Sequence, residues 1–208
     1  FENMVRSAKR LIRQGDMFQC VLSQRFSSDI SGNPFDYYRN LRVTNPSNYL
    51  YFYDFEDYQI IGASPESLVS VKDGIVTTNP IAGTRPRGND EEEDQRLAAD
   101  LSTDTKEVAE HRMLVDLGRN DIGRIAQIGT VEVTKYMEVE YFRYVMHLTS
   151  IVKGQLLKNL TVLDALKATL PAGTVSGAPK IRAMQRIYEL EKEERGIYAG
   201  AIGYLSAT

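Results

Sequence analysis

The stretch GTVEVTKYMEVEYFRYVMHLTSIVKGQL, Gly129–Leu156, decides the fold class of this chain. Its β-branched and aromatic residues predict two long strands around a short irregular link. Upstream, the segments YLYFYDF, YQIIGAS, ESLVSVKDG and IVTTNPI predict further strands in quick succession, joined by short polar turns such as the one at 72–74. These strands are predicted to form an antiparallel meander.

Helical spacing separates the runs of strands. Apolar residues at Val5, Ala8, Leu11 and Ile12 mark one helical face, which Gly15 ends. Further helices are predicted at 35–45, 94–125, 160–167 and 176–191, and strands at 17–28 and in the final segment IYAGAIGYLSAT. Strands in runs, with helices grouped between them, predict an α+β fold rather than a regular alternation of strands and helices.

Composition narrows the classes of function. The 208 residues carry a net charge of −3 with no basic tail, so nucleic acid and anionic membrane are not expected as partners. The single cysteine, Cys20, excludes an intrachain disulfide framework, and neither a targeting segment nor a long apolar span is visible. A cytoplasmic protein with small-molecule or protein partners is expected. The chain starts inside an amphipathic pattern and stops within a predicted strand, as an excerpt of a longer protein would.

Two carboxylates draw attention in the helix at 94–125. Glu107 and Glu110 are three residues apart and share a helical face with Leu114 and Leu117. Surface glutamates are common, and that reading stays open. A face that points partly inward would make two unpaired carboxylates costly, and Mg²⁺, which takes oxygen ligands, would resolve the conflict.

Three other features each leave two readings. In LPAGTVSGAPKIRAM, Thr174 or Ser176 could cap a helix, or the helix start could bind an anion. His147 is either a hydrogen-bonded core residue or a proton carrier. In PIAGTRPRG, Pro80–Gly88, two arginines and a threonine crowd a flexible corner, and the arginines could brace the acidic run NDEEED that follows.

Six motifs together resemble the chorismate-utilising enzymes, with the anthranilate synthase large component as the most similar branch. They are GASPES, PIAGTRPRG, KEVAEHRMLVDLGRND, YVMHLTS, LPAGTVSGAPKIRAM and RGIYAGAIGY, in the family's order and over most of the chain. The resemblance implies a four-layer α/β/β/α sandwich, here truncated at both ends. It also implies that residues 1–208 are an incomplete chorismate-binding catalytic domain without its N-terminal regulatory part and its C-terminal part.

The resemblance implies roles for the PIAGT segment and the two glutamates. Gly83 would let backbone approach the substrate, and Thr84 would offer it a hydroxyl. Glu110, and with it Glu107, would hold a Mg²⁺ ion that neutralises the ring carboxylate of chorismate.

Further roles follow from the same resemblance. Glu66 of SPES matches the acid that protonates the departing C4 hydroxyl, because hydroxide is a poor leaving group. His147 matches the histidine associated with pyruvate loss and aromatisation. Thr174 and Tyr198 match substrate-contacting positions.

Two positions indicate which nucleophile attacks chorismate. Relatives that add water carry a lysine base where this chain has Gln19, since water must lose a proton and ammonia is already a nucleophile. Synthases with a covalent lysine carry it at the position of Ala82, in a PIKGT motif. The sequence therefore predicts direct attack by ammonia at C2, giving 2-amino-2-deoxyisochorismate and then anthranilate and pyruvate, with ammonia drawn from a glutamine amidotransferase subunit.

A tryptophan site is also implied. NPSNYL resembles an NPSPYM segment and places Asn48, Tyr49 and Leu50 against the inhibitor, with Ile202 and Tyr204 on the opposite wall. Asn48 departs from the family's proline, which bears on the strength of inhibition.

The family's substrate-binding arginine, glycine pair and a further metal-binding glutamate are expected beyond Thr208, so these 208 residues alone are expected to be inactive. Other readings are a synthase that stops at 2-amino-2-deoxyisochorismate, an aminodeoxychorismate synthase, and a non-catalytic module that binds tryptophan or chorismate.

Overall fold

The computed structural model describes residues 1–206. The chain forms two compact units. The larger unit comprises Phe1–Gln24 and Leu68–Thr208, and the smaller comprises Arg25–Ser67. Within the described residues, no helix is long and apolar enough to span a membrane.

Both units mix helices and strands, as an α+β fold requires. The helices are α1 (Glu2–Arg13), α2 (Pro34–Thr44), α3 (Glu91–Thr103), α4 (Thr105–Gly123), α5 (Val162–Thr169) and α6 (Lys180–Leu190). The strands are β1 (Gln19–Cys20), β2 (Tyr49–Asp54), β3 (Gln59–Ser64), β4 (Ser70–Lys72), β5 (Ile75–Thr78), β6 (Ile81–Pro86), β7 (Glu132–Tyr141), β8 (Val145–Gln155) and β9 (Gly177–Ala178).

Strand β8 organises the main sheet, and the two long strands predicted around a short link are confirmed as β7 and β8. Strand β5 pairs with one half of β8 and β6 with the other half, while β4 pairs with β5. The predicted meander is therefore confirmed for the pairs β2–β3 and β4–β5 but wrong at its middle step, because β3 and β4 belong to different sheets. Strand β6 likewise does not pair with β5. At the break between them, the Pro80 carbonyl still accepts a hydrogen bond from the Ser150 amide, 3.0 Å.

Helix α4 covers this sheet and closes the core. One buried cluster joins α4 to β5 and β8 through Val76, Val115, Ile122 and Val152. Each such side chain contributes about 1.5–3 kcal/mol when fully buried. Gly118 permits the close approach, since a Cβ there would lie 3.1 Å from the Thr78 methyl carbon.

The helical region predicted at 94–125 consists of two helices that meet at Asp104. The Asp104 carboxylate accepts hydrogen bonds from the Lys106 and Glu107 amides, 2.9 and 3.0 Å, and so caps α4. An aspartate at this position satisfies amides that have no partner inside the helix. The cap starts α4 one turn before Glu110.

Charged pairs fasten α6 to the rest of the larger unit. The Lys180 ammonium donates to Asp121 Oδ2, 2.6 Å, and to the Thr169 carbonyl, 2.7 Å, in the interior. Burial lowers the pKa of Lys180 and raises that of Asp121, while their ion pair opposes both shifts. Near α1, hydrogen bonds from Arg186 and Arg182 lower the pKa of Asp16 to about 2.

The smaller unit packs α2 against the antiparallel hairpin of β2 and β3. The Phe35 and Phe52 rings meet edge to face, 5.2 Å between centroids, and Tyr38 packs beside them. On the opposite face, the Tyr51 ring lies over Gly62, where a Cβ would meet its hydroxyl at 2.1 Å.

Three sequence predictions need correction. The strand predicted at 17–28 is limited to β1, because only Gln19 and Cys20 find a partner strand, β9. The last predicted helix, α6, begins at Lys180 rather than Ser176. Residues 196–199 form a turn and 200–206 form no strand, because no described strand pairs with them; Ala207 and Thr208 lie outside the described residues.

Candidate functional site

A β-bulge in strand β6 forms the centre of the candidate site. Ala82 pairs with Leu148 and Thr84 with His147, so Gly83 is an extra residue between them. Gly83 has φ +71°, a conformation that other residues adopt only with strain. A Cβ there would lie 3.1 Å from a Leu101 methyl and 3.4 Å from Glu107 Oε2. The missing side chain therefore lets the β6 backbone pass close to Leu101 and Glu107, and the bulge aligns Thr84 with His147.

The bulge also orients the His147 imidazole. Its Nδ1 lies 3.0 Å from the Gly83 carbonyl oxygen and 3.1 Å from Thr84 Oγ1. A carbonyl oxygen can only accept a hydrogen bond, so Nδ1 carries the hydrogen and donates a hydrogen bond to the Gly83 carbonyl. The lone pair of the neutral ring is then on Nε2, which can accept a proton. The Phe142 ring packs against the imidazole at 5.3 Å and 62°.

Helix α4 carries both predicted glutamates, and Glu107 lies at this centre. Glu107 and Glu110 are half-buried and occupy one helical face, which Leu114 continues into the core, as predicted. The Lys106 ammonium lies 3.1 Å from Glu107 Oε1, and the Glu107 side chain is 16% exposed against 79% for Lys106. The pairing raises the pKa of Lys106. Lys106 thus lies at the exposed edge of the Glu107 side chain.

Gln19 reaches Glu110 from the short strand β1. Its amide Nε2 donates to Glu110 Oε1, 3.1 Å. Its amide oxygen Oε1 is buried and finds no hydrogen-bond donor among the described residues. Such an orphan acceptor is costly in a protein interior unless a ligand or water supplies a donor.

The loop predicted to start the last helix holds Gln19 in place. β1 pairs with β9, and a Cβ at Gly177 would meet the Gln19 carbonyl at 2.2 Å. Ser176 and Thr174 do not cap α6, whose N-cap is Pro179 without a side-chain hydrogen bond. Ser176 instead donates to the Ala172 carbonyl, 2.8 Å. The capping reading is wrong because the loop forms a 3₁₀ turn and a strand before α6 begins.

Arg87 of PIAGTRPRG braces the acidic run NDEEED, which confirms that reading for one of the two arginines, whereas Arg85 binds aspartates beyond the run. Arg85 donates to Asp100, 2.7 Å, and to Asp104, 2.8 Å, and these bonds raise its pKa. Arg87 forms a bidentate pair with Asp94, and this pair is the main cause of the lowered pKa of that carboxyl. The corner therefore presents Gly83 and Thr84 while its arginines tie β6 to α3.

The sequence profile described as chorismate binding enzyme matches residues 1–208, the whole chain. The chain belongs to this family. Similar curated relatives of this chorismate binding enzyme are the anthranilate synthase component 1 proteins of Lactococcus lactis, 63% identical, and Aquifex aeolicus, 58% identical. Each match covers 99% of this chain but only 45% and 42% of the relative, so the chain spans less than half of their length.

Solved structures carry the same fold. The crystal structure of anthranilate synthase component I from Streptococcus pneumoniae has a TM-score of 0.91 and 78% identity over 99% of this chain and 45% of its own. A putative 2,3-dihydroxybenzoate-specific isochorismate synthase from Bacillus anthracis has a TM-score of 0.75 and 30% identity, covering 93% of this chain and 53% of its own. The fold class inferred for this chorismate binding enzyme is thus confirmed.

The larger unit holds six of the residues predicted for the site in two contact groups, which are joined by the shared helical face of Glu107 and Glu110 on α4. One group is Gly83, Thr84, Glu107 and His147, and the other is Gln19 and Glu110. Thr174 lies in the 3₁₀ turn Gly173–Val175, whose first residue packs against Leu117 of α4. Their roles stay predictions, since geometry alone shows proximity and not chemistry.

The remaining predicted residues belong to the C-terminal segment of the larger unit and to the smaller unit. Tyr198 is half exposed and stacks under Arg195, 5.4 Å from guanidinium carbon to ring centroid. Tyr204 is 91% exposed, and Ile202 is also exposed. In the smaller unit, the Glu66 amide donates to Ser64 Oγ, 3.2 Å, and β2 starts at Tyr49, with Leu50 half-buried and Asn48 exposed just before it.

The donor chemistry at the bulge suits a hard cation. The described residues contain no group of three or more histidine, cysteine, aspartate or glutamate side chains that could hold a metal. Mg²⁺, however, needs only one or two protein carboxylates when substrate oxygens and water complete its shell. Glu107 beside Gly83, and Glu110 on the same face of α4, supply two such carboxylates. Magnesium binding therefore stays a prediction, and the residues present are compatible with it.

Two contacts in the site were missed by sequence reasoning. Lys106 forms the ion pair with Glu107, and its position next to that glutamate was a signal. Phe142 packs against His147 from the link between the predicted strands, and no local pattern marks it. Its contact depends on how the β7–β8 hairpin folds back.

Proposed function

We propose that this chain is part of an anthranilate synthase large component, which converts chorismate and ammonia to anthranilate and pyruvate. The observation that carries the proposal is the Gln19 amide bound to Glu110, at the position where water-adding relatives carry a lysine base. The names of the relatives at 63%, 58% and 78% identity support the same activity.

Gln19 favours ammonia because an amide cannot deprotonate water. Its orphan Oε1 is a hydrogen-bond acceptor, and ammonia brings N–H donors. With Nε2 committed to Glu110, the amide orientation is set and Oε1 faces away from that carboxylate. Gln19 thus holds the nucleophile by accepting a hydrogen bond, while the ammonia lone pair stays available for attack at C2 of the ring.

His147 performs the second half of the reaction. Aromatisation requires that the hydrogen on the aminated carbon leaves as a proton and that the enolpyruvyl group departs with its C–O bonding electrons. With Nδ1–H bound to the Gly83 carbonyl, His147 takes that proton at Nε2. The departing enolpyruvate is then protonated on carbon to give pyruvate.

Glu110 and Glu107 would hold the Mg²⁺ ion. When bound, the ion neutralises the ring carboxylate of chorismate and orients the ring. The protein prepares for it by keeping both carboxylates on one helical face, with Gln19 and Lys106 as their hydrogen-bond partners. Glu110 has only a neutral partner, so it is the stronger candidate ligand.

The remaining roles rest on the family resemblance. Glu66 protonates the C4 hydroxyl, while Thr84, Thr174 and Tyr198 contact the substrate. Tryptophan binds at Asn48, Tyr49 and Leu50, with Ile202 and Tyr204 opposite, and inhibits the enzyme. A glutamine amidotransferase subunit supplies ammonia. The supporting observation is the name component 1, which implies a second component.

Product analysis of the full-length protein tests the proposal. With chorismate, ammonium and Mg²⁺, the protein should release anthranilate and pyruvate in equal amounts, measured by anthranilate fluorescence and a coupled pyruvate assay. Formation of isochorismate, or of no product, would contradict it. In Gln19→Leu, which keeps the volume and loses the amide, amination should slow while chorismate still binds.

The His147→Ala variant separates the two steps. Amination should continue, while anthranilate release falls by about 10²–10⁴-fold, the usual contribution of a general acid–base group. Rapid-quench chromatography would then show the aminated intermediate accumulating. Equal loss of both steps would instead assign His147 a structural role.

A further inference from the structure

The turn between β7 and β8 is fastened from the PIAGTRPRG segment. The Phe142 amide donates to the Val145 carbonyl, 2.8 Å, and closes the turn. The Arg87 amide donates to the Tyr144 carbonyl, 3.1 Å, and its guanidinium Nη1 donates to the Phe142 carbonyl, 2.8 Å. One arginine thus holds two backbone carbonyls of the same turn.

Arg87 is itself held rigidly. Its guanidinium forms a bidentate pair with Asp94, which also accepts from the Gly88 amide, 2.7 Å. The Tyr141 ring lies under the guanidinium carbon at 5.2 Å. The planar guanidinium is bound by a carboxylate, a carbonyl and an aromatic face, so the Arg87 side chain has little conformational freedom. The position of Phe142 is therefore tied to helix α3 through Arg87.

Phe142 passes this constraint to His147. Its ring meets the imidazole at 5.3 Å and 62°, on a side chain whose Nδ1 is bound to the Gly83 carbonyl. One hydrogen bond fixes a single ring atom and still permits the ring to tilt. A second contact against the ring limits that tilt and so determines where Nε2 points.

We infer that Arg87 and Phe142 are positioning residues for His147. Arg87 fixes the turn, the turn fixes Phe142, and Phe142 aims the imidazole at the proton it removes. This inference rests on the proposed role of His147 in aromatisation. The guanidinium of Arg85, the other arginine of the motif, donates to Asp100, Asp104 and the Thr84 carbonyl, and none of these acceptors belongs to the turn.

The test uses the full-length protein labelled with ¹⁵N-histidine, with the His147 signal assigned from a His147→Gln sample. In the unaltered protein, Nδ1 should give the protonated signature and Nε2 the unprotonated one. Phe142→Leu should mix the two tautomers and raise the ratio of aminated intermediate to anthranilate by about 10- to 100-fold, because small misplacements of a reacting group have effects of that size. Phe142→Tyr should restore both readouts.

Arg87→Met should act in the same direction as Phe142→Leu. If Arg87 acts through Phe142, combining Arg87→Met with Phe142→Leu should change the product ratio no more than the more impaired single variant does. Arg143→Met is the matched control: it removes an arginine from the same turn whose guanidinium stacks on Tyr144, 4.9 Å from the ring centroid, and forms no hydrogen bond or ion pair with another described residue. This control should leave the tautomer signature and the product ratio unchanged.

A folded Phe142→Leu protein with an unchanged tautomer signature and product ratio would overturn the inference. If Arg87→Met fails to fold, the comparison of Phe142→Leu with Phe142→Tyr still decides. If the unaltered protein makes neither intermediate nor anthranilate, the proposed function fails. The NMR signature of His147 in Phe142→Leu then supports or overturns the positioning on its own.

Discussion

Helix α4 contains two sets of polar residues that differ in how deeply they are buried. At its start, Glu107 and Glu110 are half-buried, and their partners are the exposed Lys106 and the amide of Gln19. Further along, His111 is 0% exposed, and Asp121 is 6% exposed with its charge enclosed by Lys180. A step of one residue, from Glu110 to His111, separates a group that a ligand can reach from one that only protein contacts.

The difference shows which polar groups serve the structure. His111 Nε2 lies 2.7 Å from Ser150 Oγ, which also accepts from the Met137 amide, 2.9 Å. His111 Nδ1 has no hydrogen-bond partner among the described residues, whereas Asp121 and Lys180 satisfy each other in the interior. Glu107 and Glu110 keep carboxylate oxygens free for further ligands, since each carboxylate can accept more than one bond. The buried polar groups hold elements of the fold together, whereas the half-buried glutamates have oxygens that a ligand can reach.

The largest effect is expected for Asp121→Ala. Removing the carboxylate leaves the Lys180 ammonium buried without its counter-charge, which costs about 3–5 kcal/mol of unfolding free energy. Urea denaturation of the full-length protein measures the loss. Asp116→Ala, at an exposed position of the same helix, is the control and should change the value by less than about 0.5 kcal/mol. Adding Lys180→Met to Asp121→Ala should recover stability; no recovery would contradict the ion-pair account.

An intermediate effect is expected from acid. Burial lowers the pKa of His111 from 6.5 to about 4, so the unfolded chain takes up its proton first. The folded state therefore keeps its full stability above pH 6.5 and loses it as the pH falls toward 4, by about 3 kcal/mol in total. Denaturation curves at a series of pH values in EDTA measure this slope.

The matched variant for that experiment is His111→Gln, which can still hydrogen-bond Ser150 but does not titrate. The difference in unfolding free energy between the two proteins should vary with pH only between 6.5 and 4. A difference that stays constant through this range would show that His111 titrates normally in the folded protein.

The smallest effect on stability, with a large effect on activity, is expected for Glu110→Gln. Its carboxylate is half-buried and bonded to a neutral amide, so its loss should change the unfolding free energy by less than about 0.5 kcal/mol. Mg²⁺-dependent turnover should be lost, because the stronger of the two proposed metal ligands is gone. Asp116→Asn removes the same charge from the exposed side of α4 and should leave turnover intact. Normal turnover of Glu110→Gln at limiting Mg²⁺ would refute the metal assignment.

Patterns within a few residues predicted much of the fold. The spacing of Val5, Ala8, Leu11 and Ile12 predicted α1, and the three-residue separation of Glu107 and Glu110 predicted their shared face on α4. The two strands on either side of 142–144 were predicted from residue type alone. Such local patterns work because helix and strand periodicity is a property of the backbone.

Pairing between distant segments was not predictable in the same way. The segment 200–206 has the residues of a strand but forms none, and β5 and β6 each find β8 rather than each other. A strand needs a partner for its backbone groups, and the identity of that partner is not contained in its own residues.

The sequence by itself determined most of the helices and the long strands, the shared face of the two glutamates and, through its motifs, the family. Tertiary structure alone decided that Gln19 meets Glu110 across 91 residues of chain and that His147 lies against Gly83 across 64. It also decided that Phe142, unmarked in the sequence, packs on His147. The physical reason is that hydrogen-bond direction and ring contact depend on the register of paired strands and on the β-bulge at Gly83, which only the folded sheet fixes.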